Sequence, residues 1–306
     1  MKSLCIIVPV YNEAGNIHPL YDSIRQYIAS LPINTWALLF IDDGSTDGTF
    51  ERIRELAAKD NRVQAISFSR HFGHQAALMA GIQAADADWL VTMDGDLQHP
   101  PHLIGSMTEL METGYDIVHV QQIAREKGLK SWLSKCFYKC YNFLSETPVT
   151  PHAADFKMFN RKVREALLQF HENALFVRGL MHWVGFRSTV ITYEKPPRNT
   201  GATKYPLHKQ LQLAWDALIS FSFRPLRLVF FSGFLIGSLA FLFAIIAIVS
   251  YLFGKTVPGW TSLLLCILFL GSLQLIAIGL LGEYLGKVYE ETKKRPLYLI
   301  RETINR

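Results

Sequence analysis

The sequence predicts an α/β domain built on a mostly parallel sheet, followed by a hairpin of two transmembrane helices. Three observations lead there. Apolar strand-like runs alternate with helical periodicity over residues 1–120. Each of those strands ends in a polar cluster. Residues 228–253 and 260–282 carry no charge at all, and each run exceeds the ~20 residues that cross a hydrocarbon core.

Taken in order, Leu4–Val10 reads as a buried strand closed by Pro9 and the turn-prone Asn12. It is too short and too poorly flanked for a signal peptide. Ile17–Leu31 repeats Ile17, Leu20, Ile24 and Ile28 at helical spacing. Trp36–Ile41 is a second strand, closed by Asp42-Asp43-Gly44-Ser45, and Thr49–Ala58 is a helix with Asp47 or Thr46 as its cap. Val63–Phe68 is a third strand, Gln75–Ala85 a small-residue helix, and Trp89–Met93 a fourth strand ending at Asp94. This rhythm implies parallel strands with helices on both faces. Ligands then bind beyond the carboxyl ends of the strands, where Tyr11-Asn12-Glu13, Asp42-Asp43, Ser69-Arg70 and Asp94-Gly95-Asp96 lie.

Further on, Lys130–Leu144 and Leu207–Phe223 have amphipathic spacing. The first is a core-facing helix or a surface one. The second runs into Arg224-Pro225-Leu226-Arg227 and is expected to lie in the headgroup layer. The 306 residues suggest two units at about 150 residues per domain. Charged residues make up 19%, below a typical ~25%, and the net charge of +5 forms no dense basic block for nucleic acid. Arg224 and Arg227 precede the first span, and Lys287, Lys293, Lys294, Arg295 and Arg301 follow the second, while only Lys255 lies between. Both termini are therefore expected in the cytoplasm. Cys5, Cys136, Cys140 and Cys266 form no CxxC pair or zinc set. Cys136 and Cys140 read as two small side chains on a buried face, and the catalytic part as resident in a reducing compartment.

Two motifs carry chemistry. In Asp94-Gly95-Asp96 the carboxylates can turn toward one ligand if the backbone bends, which Gly95 permits. Hard oxygens from Asp94 and Asp96, with Gln98 as a third, suit Mg²⁺ or Mn²⁺ bridging to a diphosphate. Asp42-Asp43-Gly44-Ser45-Thr46-Asp47 either caps a strand-to-helix turn or accepts hydrogen bonds from a base or ribose. With Pro9, Tyr11, Asn12 and Glu13 it would line one end of a nucleotide cleft. Neither GxGxxG nor GxxxxGK[ST] occurs.

These motifs resemble family 2 glycosyltransferases of the GT-A fold. So do Ser69-Arg70-His71-Phe72-Gly73, Asp94–Pro100, Asp155–Arg161, Arg178-Gly179-Leu180, Trp183–Phe186, Gly201–Tyr205 and Gly282–Gly286. More narrowly, the chain resembles polyisoprenyl-phosphate glycosyltransferases, such as bactoprenol glucosyltransferases and dolichol-phosphate mannose synthases. The resemblance implies a metal-dependent, inverting transfer of a hexose from a nucleotide sugar to polyprenyl phosphate. UDP-glucose is the favoured donor, with UDP-N-acetylhexosamine and GDP-mannose as alternatives. It implies that Asp43 holds the base with Asp42 beside it, that Arg70 lies near base or ribose, and that Asp94 contacts ribose or metal. Asp96 and Gln98 would bind the metal, and Asp155 would sit near sugar and acceptor. Arg198 and Lys204 would contact the acceptor phosphate, with Arg125 supplying a contact where relatives often carry Arg at Gln122. Lys157 stands where Arg is usual, and Asn160 where Asp is common. Asp155 has a structural alternative as a partner of Arg161, and His71 and His74 read as surface or packing residues.

The implied organisation is a cytoplasmic GT-A domain over 1–205, an interfacial helix and linker over 206–227, spans at about 228–252 and 260–282, and a basic tail over 283–306. A flippase for the lipid-linked sugar is an expected partner. Homo-oligomerisation through Gly271 and Gly279 is another expectation. A processive polysaccharide synthase would show a QxxRW motif, which is absent. An inert membrane scaffold is the non-enzymatic alternative.

Overall fold

In the computed structural model, which describes residues 2–33, 35–122, 153–170, 177–193, 224–252 and 259–305, the chain forms two compact units. The first comprises residues 1–134, 149–204 and 295–306; the second comprises residues 135–148 and 205–294.

The first unit is organised around β1 (Ser3–Val10), whose apolar residues are buried on both faces. β1 pairs in parallel with β2 (Thr35–Asp42) on one side and β4 (Trp89–Thr92) on the other, and β2 pairs in parallel with β3 (Val63–Phe68). The helices between them are amphipathic where they meet the sheet. α1 (Ile17–Ile28) buries Ile17, Leu20, Tyr21, Ile24 and Ile28. α2 (Thr49–Ala57) buries Phe50, Ile53 and Leu56. α3 (His74–Ala84) is small and apolar enough to be buried along most of its length. α4 (Leu103–Glu112) then leads to β5 (Ile117–Gln122).

β6 (Ala153–Asn160) inserts antiparallel between β4 and β5, and β7 (Ser188–Tyr193) pairs in parallel with β5. α5 (Arg161–Leu167) and α6 (Val177–Trp183) lie between β6 and β7 in the chain. Asn160 caps α5: its Oδ1 accepts from the Val163 amide at 3.1 Å, and its Nδ2 donates to Asp116 Oδ1 at 2.7 Å. That donor, which Asp would lack, accounts for the amide here. Among the described residues the sheet has eight strands in the order β7-β5-β6-β4-β1-β2-β3-β8. Strand order reverses between β1 and β4, which places the expected ligand crevice at the ends of those two strands.

Three details differ from the sequence reading. The N-cap of α2 is Gly48, in the left-handed region at φ 86°. Asp47, one residue earlier, accepts from the Thr49 amide at 3.1 Å. Residues 295–306, read as part of a tail, belong to the first unit, and β8 (Ile300–Ile304) pairs antiparallel with β3. A five-residue strand with two charges, Arg301 and Glu302, carries too weak an apolar alternation to announce itself.

The described part of the second unit consists of α7 (Arg224–Leu252) and α8 (Trp260–Thr292), which contact each other. At 1.5 Å per residue they are about 44 and 50 Å long. Their apolar side chains are outward and exposed: Phe230, Phe234, Phe241, Ile267, Phe269 and Leu275 among them. Among the described residues Phe269–Thr292 is long and apolar enough to cross a membrane, and Val229–Phe243 is a shorter apolar stretch. The amphipathic segments Lys130–Leu144 and Leu207–Phe223 lie outside the described residues.

Candidate active site

The polar loops after β1, β2 and β3 are tied to one another. Asn12, held at φ 53°, donates its amide to Ser45 Oγ at 2.9 Å and accepts from the Thr46 amide at 2.9 Å. The Glu13 amide donates to Thr49 Oγ1, and the Ala14 amide to Asp47 Oδ2. Asp42 is fully buried; its Oδ1 accepts from the Ser45 amide at 3.1 Å and its Oδ2 from Ser67 Oγ at 2.8 Å. Gly44 sits at φ 72° so close to the Arg70 backbone that a Cβ would clash with the Arg70 carbonyl carbon.

Asp43 is 3% exposed. Its oxygens accept from the Phe72 amide at 2.7 Å and the Gly73 amide at 2.9 Å, and His71 Nδ1 lies 2.8 Å from Oδ2. Burial raises its pKa, against the opposing pull of the Phe72 amide, His71 and the Gly73 amide. The sequence reading gave Asp43 to the base. In the structure its oxygens bind the loop that begins α3. His71 stacks on the exposed ring of Tyr11 at 4.2 Å, and Arg70 lies over Phe72 at 4.2 Å. The flat, accessible Tyr11–His71 surface stands at the mouth of this end of the site.

At the end of β4 the chain turns through Asp94-Gly95-Asp96. The turn is made by Leu97, at φ 62°. Gly95 is required for a different reason than bending: a Cβ there would meet Val10 Cγ1 at 2.7 Å. The loop can approach β1 closely because Gly95 has no side chain. Asp96 Oδ1 accepts from the Gln98 amide at 3.1 Å. The Asp94 amide donates to His99 Nδ1 at 2.9 Å, which leaves the His99 proton on Nε2, 3.6 Å from Asp94 Oδ2.

The antiparallel β6 starts beside that turn, because Thr92 of β4 pairs with Lys157 and accordingly Asp94 comes level with Asp155. Thr92 Oγ1 donates to the Asp155 carbonyl at 2.7 Å. The Asp155 carboxylate is 13% exposed and faces two cations and a histidine. Arg178 of α6 donates Nε to Oδ1 at 3.2 Å and Nη2 to Oδ2 at 2.9 Å. Lys157 Nζ lies 3.8 Å from Oδ1. His74 Nε2 lies 3.5 Å from Asp155 Oδ2 and 3.6 Å from Asp94 Oδ1, bridging the two acids.

Burial alone would raise the Asp155 carboxyl, but His74, Arg178 and Lys157 outweigh it and hold the group well below the carboxylate range. For His74 burial favours the neutral ring, yet Asp155 and Asp94 push its pKa up. Burial brings the Lys157 ammonium down to about 8, against the attraction of Asp155. Tyr193, at the end of β7, is driven up to about 12 by burial and by the charges of Asp96 and Asp94. The site is thus a pair of partly exposed acids beside a buried carboxylate wrapped in positive charge.

A divalent cation suits the first part of it. Asp94 and Asp96 offer hard oxygens from one partly exposed turn. That is the donor set of an ion that completes its shell with water and substrate phosphate. Gln98 sits on the same turn, partly exposed.

Of the residues predicted from sequence, Pro9, Tyr11, Asn12, Glu13, Asp42, Asp43, Arg70, Asp94, Gly95, Asp96, Gln98 and Asp155 all fall at this end of the sheet. Arg125, Arg198 and Lys204 lie outside the described residues. Arg161, the alternative partner of Asp155, pairs instead with Asp86 at 2.8 Å. Sequence reasoning does not find Arg178, His99 and Tyr193 as site groups, and it reads His74 as a surface or packing residue.

Residues 5–168 match the description of glycosyl transferase family 2. The chain belongs to that family. This glycosyltransferase is 37% identical over 301 residues to the prophage bactoprenol glucosyl transferase homolog of Escherichia coli K12, a match that covers 97% of this chain and 98% of the relative. The bactoprenol glucosyl transferase of Shigella phage SfV is equally similar, at 37% over 301 residues with the same coverage. Among solved structures, a glucosyl-3-phosphoglycerate synthase from Mycobacterium tuberculosis, in complex with Mn²⁺, UDP and phosphoglyceric acid, aligns with a TM-score of 0.50. It shares 15% identity, over 71% of this chain and 76% of that one. That likeness supports the GT-A type of α/β fold and no more.

Proposed function

We propose that this glycosyltransferase moves a hexose from a nucleotide sugar, UDP-glucose first, to the phosphate of a polyprenyl lipid such as undecaprenyl phosphate. The observation that carries the reading is one juxtaposition. Asp94 and Asp96 stand beside the Arg178–Asp155–Lys157–His74 cluster, in a chain that matches relatives named bactoprenol glucosyl transferases along nearly its whole length.

Each part of the site has a task in that reaction. The loops of Pro9, Tyr11, Asn12, Glu13, Asp42, Asp43 and Arg70 take the nucleotide, with Tyr11 and His71 offering a ring surface to the base. Asp94, Asp96 and Gln98 would hold Mg²⁺ or Mn²⁺, whose charge neutralises the departing diphosphate. A lipid phosphate, with a second pKa of about 6, is largely ionised near neutral pH and needs little help from a base. Asp155 is a poor base in any case, since its cationic partners keep it ionised. Its work is to hold Arg178, Lys157 and His74 where they counter the charge of two phosphates brought together. A single in-line attack of this kind inverts the anomeric carbon.

Arg125, Arg198 and Lys204 remain proposed contacts of the acceptor phosphate. The exposed apolar surfaces of α7 and α8 support two membrane spans, and the basic flanks, against Lys255 alone between them, support a cytoplasmic catalytic unit and termini. Gly271 and Gly279 face open space, which would allow close packing of a second copy. A flippase is required if the lipid-linked sugar is used across the membrane.

The test is an assay of the full-length protein with undecaprenyl phosphate, Mg²⁺ or Mn²⁺, and radiolabelled UDP-glucose, UDP-N-acetylglucosamine or GDP-mannose. Label that becomes chloroform-extractable only with lipid phosphate present is expected. No lipid-linked label with any of the three would sink the proposal.

A further inference from the structure

Asp42 is fully buried, and a buried carboxylate without a countercharge is strongly disfavoured. Among the described residues the cation paired with it is Arg301 of β8, at 4.0 Å from Oδ2. The contact is relayed by a hydroxyl. Arg301 Nη2 donates to Ser67 Oγ at 2.9 Å, and Ser67 Oγ donates onward to Asp42 Oδ2 at 2.8 Å. Asp42 Oδ1 in turn accepts from the Ser45 amide, Ser45 Oγ accepts from the Asn12 amide, and Asn12 Oδ1 accepts from the Thr46 amide. One chain of hydrogen bonds therefore crosses β8, β3, β2 and the end of β1. It terminates on Asn12, whose left-handed backbone is disfavoured for a side-chain-bearing residue and needs such support.

The strand that supplies Arg301 is itself firmly seated. The Ser69 amide donates to the Leu299 carbonyl at 2.9 Å, and Tyr298 stacks on Phe68 at 4.8 Å. At the other end Asn305 Nδ2 donates to the carbonyls of Ala57 and Val63, each at 3.0 Å. The pairing with β3 shifts register between Ser67 and Phe68, opposite Arg301, which is the irregularity that turns the guanidinium toward Ser67.

We propose that Arg301 is a positioning residue for the nucleotide end of the site. Acting through Ser67 and Asp42, it holds the Asn12 and Ser45 loops in the shape that accepts the donor. Donor binding is thereby conditional on the docking of the C-terminal strand. The inference rests on the reading of those loops as the nucleotide cleft.

The test uses the full-length protein in detergent with Mn²⁺, titrated calorimetrically with UDP-glucose, UDP-N-acetylglucosamine and GDP-mannose. For whichever donor the unaltered chain binds, Arg301→Ala is expected to weaken Kd and raise KM on the order of tenfold, the scale of one indirectly lost charged hydrogen bond, with kcat little changed. Arg301→Lys, which keeps the charge and a donor, should recover most of the affinity. Glu302→Ala, which removes the exposed pair with Arg54 on the same strand, should leave it unchanged. Undiminished affinity in Arg301→Ala, or an equal loss in Glu302→Ala, overturns the inference while leaving the function standing. Binding of none of the three donors by the unaltered chain overturns both. If Arg301→Ala does not fold, Ser67→Ala cuts the same chain one link inward and is read by the same criteria.

Discussion

The two halves of the site are built from different physics. At the proposed nucleotide end the acids are held mainly by neutral donors, Asp42 by the Ser45 amide and the Ser67 hydroxyl and Asp43 by the Phe72 and Gly73 amides, with Arg301 and His71 as their charged or chargeable neighbours. At the β4–β6 end Asp155 is held by the cations Arg178 and Lys157, with His74 bridging it to Asp94. A carboxylate held by neutral donors fixes the shape of a loop. A carboxylate that fixes an arginine and a lysine sets positive charge at a defined place, where an anionic ligand can meet it. The first half is made to be rigid, and the second to be filled.

The largest effect is expected where the second half is stripped of its exposed acid. Asp96→Ala should lower turnover by at least about a thousandfold while thermal denaturation stays close to that of the unaltered chain, since this residue gives up one partly exposed hydrogen bond. Steady-state transfer rates and melting curves check it together. Removing the bidentate partner of Asp155 should act on the fold as well. Arg178→Ala is expected to destabilise by about 3 kcal/mol, because it leaves a buried acid with weaker partners. The pH dependence identifies the cause. The Asp155 carboxyl is held low, so its contribution to stability is complete above the unfolded value of about 4 and is lost as pH falls through the folded one. Denaturation followed in the acid range should show a shallower loss in Arg178→Ala than in the unaltered chain; equal slopes would contradict the assignment.

A smaller effect sharpens the boundary between the halves. His74 begins α3, on the loop that Asp43 ties down, yet it points at Asp94 and Asp155. His74→Ala should lower kcat about tenfold to a hundredfold with donor Kd nearly unchanged, as expected for lost transition-state charge compensation. A change in Kd alone would move His74 to the nucleotide half. The smallest effect lies behind the cluster. His119 is buried, stacks on His182 at 4.8 Å and, among the described residues, has no hydrogen-bond partner on either ring nitrogen. Burial and then the nearby Lys157 charge bring its pKa down to about 3. His119→Phe should stabilise the protein by about 1 kcal/mol, since an unsatisfied polar group is replaced by an apolar ring.

Much of this was legible in the sequence, for reasons that differ by element. β1 to β4 announce themselves because strands buried on both faces must be apolar throughout, and the loops at their ends carry the chemistry. Asp94 and Asp96 stand out as a local motif and Asp155 through the family resemblance, and the structure brings the three to one end of the sheet. What stayed hidden depends on long-range pairing. Arg178 meets Asp155 across 23 residues of chain, with β6 running antiparallel beside β4. His74 looks like any histidine opening a small-residue helix until Asp94 and Asp155 are placed beside it. Gly95 was read as a hinge, whereas its requirement is the 2.7 Å approach of Val10. β8 was read as tail, because nothing in Ile300–Ile304 signals that a chain leaving a long apolar helix returns to the edge of the first sheet.

The most direct measurement of the account is the anomeric configuration of the lipid-linked product, read by NMR after transfer from UDP-glucose, in which glucose is α-linked. A site that only positions two phosphates and steadies their charge, with Asp155 kept ionised by its cations and no side chain taking the sugar, predicts a single displacement and a β-linked glucosyl phosphate. An α-linked product would contradict it.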